Sequence, residues 1–305
     1  MKLMRKRVLI TGANGLLGQN LLHVFAQNYD CTASGRNPEF VAARPEVSYR
    51  PCDITRRAEV VKLVREVMPN FIINAAAFTD VDGSEQQREA CWQVNATAVG
   101  YLSEAARQVG ARLIHVSTDY VFDGTSGPYT EAHRPNPLGF YGRAKLAGEN
   151  AVIGSGASYA IARTMVLYGH GRRLRPNFVT WLIGQLRNGN AVRIVTDQFG
   201  NPTLASELAA ALRVLAEAGR DGIYHICGRE IIDRYHFALK IAEVFALNAR
   251  LIAPIRTVDL KQQAPRPMHS GFDISKAVQE LGIAMSGVVE GLQKFKRESA
   301  DGQAA

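Results

Sequence analysis

The chain has 305 residues, 47% of them hydrophobic, and a formal net charge of +8. That is enough for one large or two modest domains, and no apolar run approaches the length that spans a bilayer, so no membrane partner is expected. The Arg and Lys residues are mostly dispersed, apart from the N-terminal cluster and Arg172-Arg173-Leu174-Arg175, and no nucleic-acid motif accompanies them; a small anionic ligand is expected rather than nucleic acid.

The start, Met1 to Arg7, is basic like the first part of a signal peptide, but only Val8, Leu9 and Ile10 follow before Thr11-Gly12. That is far too short for the apolar core of such a signal. Cys31, Cys52, Cys91 and Cys227 are scattered, with no Cys-x-x-Cys, and read as reduced thiols in a cytoplasmic protein.

Arg7 to Ile10 is a short apolar strand, ending in Thr11-Gly12-Ala13-Asn14-Gly15-Leu16-Leu17-Gly18. A helical pattern follows, with Leu17, Leu21, Val24 and Phe25 on one face. Strand, glycine turn and helix form the context in which a glycine fingerprint means dinucleotide binding. Gly12, Asn14, Gly15, Leu16 and Gly18 are the candidate contacts, because small residues let the backbone approach a pyrophosphate at a helix N-terminus. The spacing is Gly-x-x-Gly-x-x-Gly rather than Gly-x-Gly-x-x-Gly.

The next strand, near Cys31 to Ala33, leads to Ser34-Gly35-Arg36. An acid here would bond the ribose diol of NAD, whereas Arg36 suits a 2′-phosphate, which favours NADP(H) over NAD(H). Val47 to Arg50 reads as a third strand, followed by Cys52-Asp53-Ile54 and a helix over about Arg57 to Val67. Phe71 to Asn74 is a buried strand ending in Ala75-Ala76-Ala77, whose small side chains leave room for a cofactor. A helix from Asn95 to Val109 precedes a strand from Arg112 to Val116 that delivers Ser117-Thr118-Asp119.

Tyr141-Gly142-Arg143-Ala144-Lys145 puts a phenol and an ammonium four residues apart, on one face if the segment is helical. A phenol ordinarily ionises near pH ~10. A nearby cation would lower that value and let the tyrosine exchange a proton with a substrate oxygen.

A strand from Tyr159 to Arg163 follows, and beyond Tyr168-Gly169 the alternation weakens. Asn177 to Arg187 reads as a helix, Val192 to Val195 as a strand, Ala205 to Ala218 as a helix, Ile223 to Cys227 as a strand and Tyr235 to Phe245 as a helix. Ser299 to Ala305 reads as a frayed tail. The fold class expected is α/β, a Rossmann-type doubly wound parallel sheet with a smaller mixed α/β substrate domain. Residues 1–165 form the dinucleotide-binding domain, with segments at roughly 190–230 returning to it, and residues 166–305 form mainly the substrate domain.

Together these residues resemble the extended short-chain dehydrogenase/reductases, and within them the dTDP-4-dehydrorhamnose reductase family. The glycine turn, Asn74 to Asp82 (NAAAFTDVD), Ser117 to Gly124 (STDYVFDG), Pro128 to Glu131, Asn136 to Glu149 (NPLGFYGRAKLAGE), Asp197 to Thr203 (DQFGNPT), and Arg266-Pro267 with Ser270 carry the likeness, which runs from about Arg7 to about Gly291. The resemblance implies NADPH-dependent reduction of a 4-keto nucleotide sugar. It implies a catalytic trio of Thr118, Tyr141 and Lys145, the last also holding the nicotinamide ribose. Cofactor contacts would come from the glycine turn, Asp53, Ile54 and Ala75 to Ala77, and substrate contacts from Thr79, Val81, Tyr120, Asn177 and Arg266. The diphosphate would be held by Arg266, with the Arg172 to Arg175 loop as a second candidate.

One departure stands out. The family usually has Arg-Thr-Ser-Trp-Val-Tyr where this chain has Arg163-Thr164-Met165-Val166-Leu167-Tyr168, so Val166 replaces the ring and leaves the sugar open. Nucleotide-sugar dehydratases carry Thr-Asp-Glu where this chain has Thr118-Asp119-Tyr120, and epimerases hold NAD tightly, against which Arg36 argues. The regulatory subunit of methionine adenosyltransferase resembles the same family, shares the Gly-Leu-Leu-Gly turn and also lacks the tryptophan. The reductase reading comes first, a binding or regulatory protein second, a dehydratase or epimerase third. A homodimer is left open; some family members dimerise around a metal, and no motif here identifies a metal site.

Overall fold

The structure, a computed structural model, describes residues 5–42 and 44–302. Its centre is a seven-stranded sheet: β1 (Arg7–Thr11), β2 (Asp30–Gly35), β3 (Val47–Pro51), β4 (Phe71–Asn74), β5 (Arg112–Thr118), β6 (Tyr159–Thr164) and β7 (Gly222–His225). Their order in space is β7-β6-β5-β4-β1-β2-β3, and every pairing is parallel. The chain starts at β1, runs out to β3, then returns to β4 and continues the other way. The switch point therefore lies between β1 and β4, where a ligand crevice forms outside the carboxyl ends of the strands.

Successive strand residues face opposite sides, and both sides are covered. Val8 and Ile10 of β1 pack in one core with Leu21, Leu22 and Phe25 of α1 (Leu16–Phe25). Leu9 enters the other core, with Val60 and Val64 of α2 (Arg57–Val67) and Leu102 of α3 (Ala98–Val109). This is the doubly wound Rossmann-type sheet that the strand-helix alternation predicts.

The remaining helices are α4 (Phe140–Ile153), α5 (Phe178–Arg187), α6 (Ala205–Ala218), α7 (Arg234–Val244) and α8 (Val288–Gly302), with short helices between them. α6 packs its Leu208, Leu212 and Leu215 into the α1 face. A separate core gathers Val179 and Leu182 of α5, Phe237 and Ile241 of α7, and Leu292 and Phe295 of α8. Strand Val192–Val195 pairs in parallel with Ile252–Ile255 beside it.

Two local readings need correction. The helix expected from Asn95 begins as a π-helical turn, Gln93–Thr97, before α3. The tail expected to fray from Ser299 is helical as far as Gly302, as the end of α8, and residues 303–305 lie outside the described ones. All four cysteines are free and buried. Among the described residues no helix is long and apolar enough to cross a membrane.

Candidate active site

A cleft of about 830 Å³ opens at the carboxyl ends of β1, β4 and β5. Every residue expected at the site lines it except Asn14, Gly18 and Arg266.

The β1 turn closes tightly against β4. Gly12 has φ +69°, and a Cβ there would sit 2.6 Å from the Ala76 nitrogen. Gly18 works differently from expectation: a Cβ on it would lie 2.2 Å from the Gly12 carbonyl oxygen, so it seats α1 on the turn rather than facing the cleft. Gly15 is the N-cap of α1 and offers no side-chain cap, which leaves the first N–H groups of the helix available to an anion. Asn14 also turns away from the cleft. Its amide donates to the Glu39 carbonyl at 2.8 Å and its oxygen accepts from Val41 N at 3.0 Å, holding the loop after β2. Arg36 is exposed at the end of β2 and shares the cleft wall with Asp53 and Ile54. Burial opposes ionisation of Asp53, but hydrogen bonds from Thr55 and the charges of Arg36 and Arg56 outweigh it and hold the carboxyl below its ordinary range.

Ala75, Ala76 and Ala77 continue the wall, followed by Phe78, Thr79 and Val81. This loop is fixed by a residue that the sequence reading passed over. Asn95, in the π-helical turn, accepts from Phe78 N at 2.9 Å and donates to Phe78 O at 2.9 Å. The only signal for it in the sequence is a carboxamide on an otherwise apolar helical face.

Tyr141 and Lys145 project from α4, one turn apart, and both are buried. α4 comes this close because residue 142 is glycine: a Cβ there would lie 2.1 Å from the Tyr120 carbonyl oxygen. The Tyr141 ring stands edge-on to Tyr120, centroids 5.4 Å apart at 83°. Thr118 ends β5, and its hydroxyl donates to Asp119 at 3.0 Å. Asp119 in turn accepts from Ser270 Oγ at 2.6 Å.

The electrostatics differ from the expected arrangement. Burial, reinforced by the Asp119 charge, pushes the Tyr141 phenol well above its usual range, although a hydrogen bond with Thr118 pulls the other way. Lys145 is not among the main influences on it. The Lys145 ammonium donates to the Val116 carbonyl of β5 at 2.6 Å, and burial brings its own pKa down to about 8 despite Glu149. The site holds a protonated phenol beside a weakened ammonium.

Toward the second core, Asn177 caps α5, accepting from Thr180 N at 3.1 Å and donating to the Gly169 carbonyl at 2.9 Å. Val166 lines the cleft with φ +48°, a conformation rare for a β-branched residue and typical of functional sites. Arg266 is bound by both oxygens of Asp82 and by the Ala264 carbonyl. The Arg172 to Arg175 loop is not beside it. Gln19 of α1 accepts from Arg172 N at 2.8 Å and donates to its carbonyl at 3.0 Å, while Arg173 pairs with Glu39. The loop therefore lies against the glycine-turn helix, and its assignment to a substrate diphosphate is corrected.

With that geometry in view, the chain matches the family model of the RmlD substrate binding domain over residues 5–300. The chain belongs to the RmlD substrate binding domain family. It is 35% identical over 292 residues to dTDP-4-dehydrorhamnose reductase of Aggregatibacter actinomycetemcomitans, covering 92% of this chain and 95% of that one. It is also 35% identical over 302 residues to methionine adenosyltransferase 2 subunit beta of Mus musculus, covering 95% and 88%. A crystal structure of dTDP-4-dehydrorhamnose reductase from Bacillus anthracis str. Ames, solved with NADP, superposes with a TM-score of 0.85 at 33% identity, covering 97% and 100%. The family resemblance drawn from the motifs is borne out.

Within this family frame, Asp119 and Arg234 are further polar groups that the sequence reading did not single out as site residues. Asp119 is buried between Thr118 and Tyr120, and burial raises its pKa. Arg234 stands at the first position of α7, and its charge reaches both Asp119 and Tyr120.

Proposed function

We propose that this chain is an NADPH-dependent oxidoreductase that reduces the ketone of a 4-keto nucleotide sugar, with dTDP-4-dehydrorhamnose as the leading substrate. The observation that carries the reading is the meeting of Thr118, Tyr141 and Lys145 with the Gly12 turn on one cleft at the sheet's switch point.

The residues fit a dinucleotide. The open N-terminus of α1 at Gly15 and Leu16 would take the pyrophosphate, Arg36 the 2′-phosphate, Asp53 and Ile54 the adenine side, and Ala75 to Ala77 the space beside the nicotinamide half. When bound, the reduced nicotinamide supplies a hydride to the ketone carbon. Tyr141 gives its proton to the ketone oxygen as negative charge grows there. The phenol is protonated at neutral pH and so can donate, although burial makes it a weaker acid than a free phenol. Thr118 steadies the same oxygen, which requires its single proton to turn from Asp119 toward the cleft. Such donors act most strongly where charge develops. Lys145 lies behind them, one helical turn along, to hold the nicotinamide ribose.

A second reading, a binding or regulatory subunit, is favoured by Val166 at the position of the family's tryptophan and by the likeness to methionine adenosyltransferase 2 subunit beta. The dehydratase reading is weaker, because Tyr120 stands where elimination would need a carboxylate. Turnover by purified protein with NADPH and a panel of 4-keto nucleotide sugars separates these readings. Reduction of any of them supports the enzyme, and none across the panel favours the regulatory role.

A further inference from the structure

The turn after β2 carries charge of both signs. Arg36 lines the cleft at the dinucleotide end, and Glu39 follows three residues later. Three residues span at most about 11 Å of backbone. The turn is also pinned. Asn37 Oδ1 accepts from Glu39 N at 3.0 Å, and the Asn14 amide donates to the Glu39 carbonyl at 2.8 Å. The Tyr49 hydroxyl donates to the Asn37 carbonyl, and its ring stacks on Phe40 with centroids 4.7 Å apart. An acid is thus fixed beside the place where a 2′-phosphate would meet Arg36. Exposed like charges repel over about one Debye length, ~10 Å at moderate salt.

The chain meets this acid with a cation from far along the sequence. Arg173 pairs with Glu39 across 134 residues. It stands on the crossover loop between Tyr168 and α5, and no acid occurs in the sequence between Glu149 and Asp197. The loop is seated on the glycine turn by Gln19. Gln19 Nε2 donates to the Asn14 carbonyl at 2.9 Å and to the Arg172 carbonyl at 3.0 Å, and Gln19 Oε1 accepts from Arg172 N at 2.8 Å. Gly171 permits the approach, since a Cβ there would lie 3.0 Å from Gln19 Oε1. Asn14 therefore serves both sides, its side chain holding Glu39 and its carbonyl sharing Gln19 with Arg172. Arg173 itself has φ +53°, uncommon for a residue with a side chain and kept only where the surroundings impose it.

We infer that Arg173 is a specificity-determining residue for the cofactor: by neutralising Glu39 it lets the turn after β2 accept the 2′-phosphate of NADP(H) at Arg36. Without it, the Glu39 carboxylate opposes the phosphate and spares NAD(H), which has a free ribose diol there. This rests on the NADPH reading of the cofactor site and adds a residue from outside the β1–β2 region to it.

The test is calorimetric titration of the full chain at low ionic strength with NADPH, NADH, adenosine 2′,5′-bisphosphate and AMP. The parent, Arg173→Ala, Glu39→Gln and the double variant are compared. The pair is 68% and 60% exposed, so the effect is modest. Arg173→Ala weakens NADPH and the bisphosphate by about 2- to 5-fold, the range of an exposed ion pair. NADH and AMP affinities stay parental, which also shows that the site is folded. Glu39→Gln alone binds NADPH at least as tightly as the parent, and in the Arg173→Ala background it restores most of the loss. The loss shrinks as salt is raised. Unchanged NADPH affinity in Arg173→Ala overturns the inference, as does equal weakening of NADPH and NADH, which would make the pair a brace for the loop. A loss that Glu39→Gln does not restore also overturns it. A parent that does not prefer NADPH to NADH removes the Arg36 reading and the inference with it. A parental preference abolished by Arg36→Ala but untouched by Arg173→Ala removes the inference alone.

Discussion

Arg266 and Asp82, 184 residues apart in the chain, meet through two hydrogen bonds of 2.8 Å each. The hydrogen bond from Arg266 holds the Asp82 carboxyl below its ordinary range, with burial opposing. The pair ties the Phe78 to Asp82 edge of the cleft to the Pro265-Arg266-Pro267 loop. Arg266→Ala therefore raises KM for the nucleotide sugar by about 10-fold or more, with kcat changed much less, because it removes binding rather than chemistry. Steady-state kinetics check this; an unchanged KM with a lowered unfolding midpoint makes Arg266 structural.

Arg36 is the cation at the end of β2, where NAD-specific chains place an acid. Arg36→Ala weakens NADPH by roughly 10-fold and leaves NADH nearly unchanged, as loss of a charged hydrogen bond to the 2′-phosphate requires. Fluorescence titration of both cofactors decides it. Equal weakening, or tighter NADH binding by the parent, contradicts the assignment.

The Lys145 pKa, brought down to about 8 by burial, predicts the pH dependence. The cation exists below that value and is lost as pH rises through it. If the cation supports turnover, kcat/KM falls above about pH 8 rather than near the usual 10.5. The same shift lowers stability as pH drops from 10.5 toward 8, with no further loss from this group below. A kcat/KM profile that stays flat well beyond pH 8 contradicts the role, and Lys145→Met loses both activity and cofactor affinity.

Glu149 of α4 and Arg163 of β6 form a pair with both side chains 1% exposed, joined at 2.9 and 2.6 Å. Arg163 also lies 5.1 Å from the Phe122 ring centroid. Glu149→Ala strands a buried guanidinium and costs about 3–5 kcal/mol. Urea unfolding measures it; a loss below about 1 kcal/mol means that water reaches the guanidinium.

Much of this was legible in the sequence because local pattern and tertiary role coincide. Val8 to Ile10 are apolar on both faces, so they read as a central strand, and the glycine turn follows where β1 meets α1. Tyr141 and Lys145 were placed by simple helical spacing. What was not legible depends on partners far along the chain. Asn95 shows in the sequence only as a carboxamide on an apolar helical face, with its partner Phe78 unmarked, and Asp82 gives no local sign that it neutralises Arg266. The Arg172 to Arg175 loop looked free for a substrate, yet Gln19 and Glu39 hold it against α1. Most instructive is Tyr141. Spacing suggested that Lys145 would lower its pKa, but burial decides the sign, and burial is a property of the folded chain.

The most direct measurement is NADPH consumption by the parent and by Tyr141→Phe on dTDP-4-dehydrorhamnose, with NADPH affinity as the folding control. The parent turns over, and Tyr141→Phe, which keeps the ring and removes the proton donor, loses ~10²–10⁴-fold in kcat with cofactor affinity little changed. Near-parental turnover by Tyr141→Phe would contradict the proposed mechanism.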